Sequence, residues 1–78
     1  MNVVELMEKI SHRQGEMSNE KYARNFDVTG STLFRWHKGQ RQPNLVALRN
    51  MAKYYRQIGD AEMVDVLTEY TLFGDTSS

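Results

Sequence analysis

Residues 18–43 read SNEKYARNFDVTGSTLFRWHKGQRQP, and their punctuation predicts two short helices joined by a tight turn. Ser18 and Thr29 carry side-chain oxygens that can accept from a backbone N–H two or three residues on, so each marks a helix start. Between them, Asp27 can take the left-handed conformation that a tight turn demands. Ala23 is small where a second helix must cross close by, Val28 plugs the turn, and Leu33 and Trp36 anchor the later helix from behind. Gly39 closes that helix and Pro43 forbids its extension. Together these features make a helix-turn-helix, with residues 30–38 as its second helix.

Working outward in both directions, the same reading adds three more helices. Asn2 caps a first helix whose Val3, Leu6, Met7 and Ile10 follow three-and-four spacing, and Gly15 ends it. Tyr22, Ala23 and Phe26 share one face of the second. Beyond Pro43, Asn44 caps a fourth helix with the stripe Leu45, Leu48, Met51, Ala52 and Tyr55, which stops near Gly59. Tyr54 and Tyr55 lie on neighbouring faces, so Tyr55 is expected inside and Tyr54 outside. Asp60 caps a fifth helix that runs through Met63, Val64, Val66, Leu67, Tyr70 and Phe73 to Gly74. No stretch alternates as a half-buried strand would. The expected fold is all-α, a bundle of about five helices in one domain over residues 1–74, with a short polar tail at 75–78.

Composition narrows the function classes. A chain of 78 residues buries only about 60% of its unfolded surface, so one small core is expected to serve whatever the protein does. With no cysteine, a disulfide scaffold, a thiolate metal site and a cysteine nucleophile are excluded, and the reducing cytoplasm is the expected compartment. Apolar runs fall far short of the roughly 20 residues of a membrane span, and the segment Met1 to Glu5 lacks the basic-then-apolar pattern of an export signal. His12 and His37 have no partner at ligand spacing, and no Ser/His/Asp constellation or glycine-rich phosphate loop occurs. Neither catalysis, nor a metal, nor a cofactor is expected.

Net charge is zero, but the charges are sorted along the chain. Residues 31–56 hold Arg35, Lys38, Arg41, Arg49, Lys53 and Arg56 with no acid, whereas residues 57–78 hold Asp60, Glu62, Asp65, Glu69 and Asp75 with no base. Segregation of this kind fits a basic surface for phosphates with an acidic one turned away. It also fits a bundle whose two blocks neutralise each other through ion pairs.

Stepping about 100° per residue from Gly30, Leu33 falls near 300° and Trp36 near 240°, which leaves Ser31, Phe34, Arg35 and Lys38 on the opposite face. Arginine can hold guanine through two acceptors, serine can donate or accept, and an apolar ring can pack on a thymine methyl. Phe34 has the alternative of covering a neighbouring helix. Lys38 and Arg41 are expected on phosphates. Gly30 is expected to let backbone approach closely, and Asn19, Thr29 and Ser31 stand beside helix starts as phosphate partners. On the fifth helix, counted from Ala61, the apolar residues spread from roughly 120° to 300°, wider than the stripe of about 100° that internal packing needs. Val64, Leu67, Tyr70, Leu72 and Phe73 are therefore expected to form a homodimer face, unless the N-terminal helix covers the whole arc.

The order and spacing of these features resemble the Cro/repressor-like helix-turn-helix family, also called the Xre family. The resemblance covers roughly residues 3–56, and Gly39-Gln40-Arg41-Gln42-Pro43 matches that family's glycine, basic stretch and proline after its recognition helix. It departs at Asp27, where the family commonly has glycine, and at His37, where glutamate is frequent. The resemblance implies a lambda-repressor-like bundle that binds a double-stranded DNA operator in the major groove as a dimer, without catalysis. A phage or mobile-element repressor is the function implied. The alternatives are an antitoxin-like autoregulator and a protein-interaction module that retains the helix-turn-helix shape.

Overall fold

Five helices begin where a short polar side chain can replace a missing backbone partner. In the computed structural model, which describes residues 1–73, Asn2 Oδ1 accepts from Glu5 N at 2.9 Å and opens α1 (Val3–Gln14). Ser18 opens α2 (Asn19–Ala23), Thr29 opens α3 (Gly30–His37), and Asn44 opens α4 (Leu45–Gln57), each accepting from the N–H three residues on. Asp60 Oδ1 does the same for Met63 N at 3.2 Å at the start of α5 (Ala61–Phe73). Each cap satisfies one orphan donor of a first turn. Gly74 and the tail expected at 75–78 lie outside the described residues.

The second helix is shorter than its apolar face suggests. Regular α geometry ends at Ala23, and Arg24–Phe26 continue as a 3₁₀ turn. The tightening has a visible cause: Asp27 is left-handed at φ 58°, its N–H reaches Arg24 O, and Val28 N–H reaches Ala23 O at 3.2 Å. Reversing the chain within three residues requires the last turn to wind more tightly.

The core is assembled from all five helices and contains no buried charged or polar residue among those described. α4 packs against α5 and against the 3₁₀ turn, α2 against α3, and α1 bridges α3 and α5. Phe26 is the hinge pin, fully buried, with its ring 5.4 Å from Tyr22 and 5.9 Å from Tyr55. Tyr55 is buried as expected, whereas Tyr54, expected outside, is half-buried, its ring 5.7 Å from Phe26 and 6.2 Å from Tyr22. The Tyr22 and Tyr55 hydroxyls meet at 2.9 Å inside the core. Burial raises both phenols above their ordinary pKa of 10.0, so the pair stays neutral and each oxygen satisfies the other. Asn50 Nδ2 donates to Phe26 O at 3.1 Å, which pins the end of the 3₁₀ turn to α4.

Where α1 meets α5 the joint is ionic. Arg13, near the end of α1, donates through Nε to Asp60 Oδ2 at 2.8 Å and through a terminal nitrogen to Glu62, and also reaches Lys9 O. These bonds hold both carboxylates below their ordinary pKa range. Arg13 therefore ties α1 to the first turn of α5, across 47 positions of sequence.

Candidate nucleic-acid interface

The outer surface of α3 is defined by what lies behind it. Leu33 is fully buried and Trp36 almost so, which fixes the rotation of the helix about its own axis. Ser31, Phe34, Arg35 and Lys38 are consequently exposed, on the face assigned to them by helical spacing. Arg41 is exposed beyond the helix, and Thr29 is exposed at its start, with Oγ1 accepting from Thr32 N at 3.1 Å. Phe34 does not cover a neighbouring helix. Its ring is 46% exposed, and the Lys38 ammonium lies 5.5 Å from the ring centroid.

Gly30 has a different role from the one expected. A Cβ built there would lie 2.7 Å from Glu20 Cα and 2.8 Å from Glu20 N. The glycine serves the crossing of α2 and α3, where backbone meets backbone, and the surface approach expected of it is secondary to that packing. On α2 the small residue is Ala23, which is fully buried.

A relay of side chains joins α1, α2 and α3, and nothing in local spacing signals it. Gln14 Nε2 donates to Met17 O at 2.9 Å and to Asn19 Oδ1 at 2.7 Å. Its Oε1 is left to accept, at 3.0 Å, from His37 Nε2. The imidazole proton therefore sits on Nε2, and Nδ1 accepts from Ser11 Oγ at 3.2 Å. Burial pushes His37 below its ordinary pKa of 6.5, in keeping with the neutral form. Asn19, expected as a phosphate partner, is half-buried with its carbonyl oxygen committed to Gln14, so only its amide NH₂ remains for a ligand.

The cations at this surface form no ion pair among the described residues. The ion pairs among the described residues are Arg13 with Asp60, Arg13 with Glu62, and Arg24 with Glu20. None involves Arg35, Lys38, Arg41, Arg49, Lys53 or Arg56, all of which are exposed. Among the described residues no ion pair joins the basic block to the acidic one; the acids at the start of α5 pair with Arg13 from α1.

The dimer face expected on α5 divides. Leu67 and Tyr70 are buried within the chain, together with Met63 and Val66, because α4 and α1 cover that side of the helix. These four span roughly 100° of the helix, an ordinary core stripe. Val64 is half-buried, whereas Leu72 and Phe73 are 71% and 66% exposed. Leu67 and Tyr70 are thus core residues and not available to a partner, leaving Leu72 and Phe73 as the outward apolar pair.

Among the described residues no helix is long and apolar enough to cross a membrane, and no group of three or more His, Asp or Glu side chains is placed to hold a metal ion. Comparison with protein-family models, with curated proteins and with solved structures finds no match.

Proposed function

We propose that the chain is a sequence-specific binder of double-stranded DNA that regulates transcription, with α3 seated in the major groove. The observation that carries this reading is the outward face of α3, where Ser31, Phe34, Arg35 and Lys38 stand exposed around a helix anchored from behind, within a stretch that has no acid and whose six bases form no ion pair among the described residues. The Arg35 fork matches the two major-groove acceptors of guanine. Lys38 and Arg41 hold phosphates, with the Thr29 hydroxyl, the Asn19 amide and the Gly30 and Ser31 backbone at the start of α3 as neutral partners. The resemblance to Cro/repressor-like proteins supports the same assignment. Two copies meeting through Leu72 and Phe73 would set their α3 helices about 34 Å apart on a palindromic operator. The mode we propose is repression by occlusion, in the cytoplasm, by a regulator of phage or mobile-element type.

The test is fluorescence anisotropy on duplexes flanking the protein's own gene and on random duplexes, over a range of salt. Arg35→Ala should cost roughly 1–3 kcal/mol at the cognate site and relax preference at one base pair. Lys38→Ala or Arg41→Ala should weaken cognate and random DNA alike and lower the salt slope by about one. Equal affinity of the wild type for cognate and random duplexes at every salt concentration would sink the reading.

A further inference from the structure

Phe34 is the one large apolar side chain exposed on α3, and its neighbours on the outward face are Ser31, Arg35 and Lys38. Geometry keeps it there: with Leu33 and Trp36 filling the inner face, a residue about 100° from Leu33 cannot turn inward without rotating the helix out of its seat. An apolar groove on another protein is a poor match for this surface, because closing over the ring would also desolvate two unpaired cations. The surface instead fits a partner that is anionic overall and carries isolated apolar groups. The major groove is lined by phosphates at its rims and presents on its floor one kind of apolar group, the methyl on C5 of a pyrimidine.

We propose that Phe34 is a specificity-determining residue that reads the C5 methyl of a pyrimidine next to the guanine held by Arg35. The proposal rests on the DNA-binding reading of α3. Consecutive helical residues are displaced by about 1.5 Å along the axis and about 100° around it, which directs Phe34 and Arg35 to neighbouring base pairs. The Lys38 ammonium, 5.5 Å from the ring centroid, attracts the ring and limits its rotation before DNA arrives. Thymine always carries the methyl, and cytosine carries it when methylated at C5; the recognising chemistry is the same.

The experiment is a selection from a randomised duplex library by the full chain, followed by affinity measurements on the enriched duplex with each thymine replaced in turn by uracil. One replacement per half-site, adjacent to the guanine lost in the Arg35→Ala profile, should weaken binding about fourfold, which corresponds to about 0.8 kcal/mol for one buried methyl. Phe34→Ala should bind the thymine and uracil forms equally, while Arg35→Ala still distinguishes them. A second selection from a library methylated at CG steps separates the two sources. Preference for methylated CG assigns the methyl to 5-methylcytosine, and its absence alongside a uracil effect assigns it to thymine. An enriched duplex that tolerates uracil everywhere and ignores CG methylation overturns the proposal while leaving the DNA-binding reading intact. Full discrimination retained by Phe34→Ala overturns it as well, and failure to enrich any duplex overturns both.

Discussion

Two of the joints in this bundle, α2 with α3 and α1 with α5, are built on different physics. Where α2 crosses α3, the contact is steric: Gly30 leaves no room for a Cβ against the Glu20 backbone, and fully buried Ala23 and Leu33 complete a surface with no charge in it. Where α1 meets α5, the contact is ionic, with Arg13 gripping Asp60 and Glu62. A steric joint is indifferent to salt and pH and intolerant of added volume, and an ionic one behaves the opposite way. The proposed reading helix is therefore seated on α2 by a joint indifferent to salt, while its His37 end is tied to α1 by hydrogen bonds that depend on a neutral imidazole.

Adding a single methyl group should do the most damage. Gly30→Ala places a carbon inside the van der Waals radius of backbone atoms that cannot rotate away, so overpacking should cost roughly 1–3 kcal/mol, seen in urea denaturation followed by circular dichroism. The helix-propensity gain of alanine over glycine, at most about 1 kcal/mol and less at a first helical position, offsets only part of it. Stability equal to the wild type would mean that α2 and α3 part easily, and the contrast between the joints would collapse.

Arg13→Ala should cost less, about 1 kcal/mol at low salt, because the pair with Glu62 is solvent-exposed and screened. At molar salt the difference from wild type should shrink, whereas that of Gly30→Ala should not. A salt-independent loss for Arg13→Ala would show that its packing, and not its charge, holds α1 to α5.

The smallest effect is the pH dependence, and its sign follows from proton linkage. Asp60 and Glu62 are depressed by the Arg13 hydrogen bonds, so the stability they contribute is complete above their ordinary values of 3.8 and 4.5 and drains away as pH falls through the lowered folded values. His37 is depressed by burial, so the unfolded chain binds the proton first and stability declines as pH drops below 6.5. Melting temperature against pH should show a shallow decline beginning near 6.5 and a second below about 4.5, the second weakened in Arg13→Ala. A flat profile from pH 7 to 5 would show that His37 is not held neutral.

Local chemistry was legible in the sequence and long-range pairing was not. The caps at Asn2, Ser18, Thr29, Asn44 and Asp60 and the left-handed Asp27 each depend on a few neighbouring residues, and each stands where it was read. The rotation of α3 followed from Leu33 and Trp36 alone. The second element hid its 3₁₀ turn, because period-based reading does not separate an α turn from a tighter one within three residues. Arg13 with Asp60, and Gln14 with His37, join residues 47 and 23 positions apart, and only the crossing of the helices brings them together. The same holds for α5: the width of its apolar arc was visible, but which part faces inward depends on where α4 and α1 lie, and Leu67 and Tyr70 fell on the covered side.

The chain has a single tryptophan, and it is the residue behind α3. Its fluorescence therefore reports on the seat of α3: the emission moves to the red when α3 leaves it and Trp36 meets water. DNA on the outward face would approach from the opposite side of the helix and leave that signal undisturbed. Trp36 is thus a built-in optical gauge for the seating of α3, and comparing its midpoint with that of the whole-chain helical signal would show which of the two joints opens first.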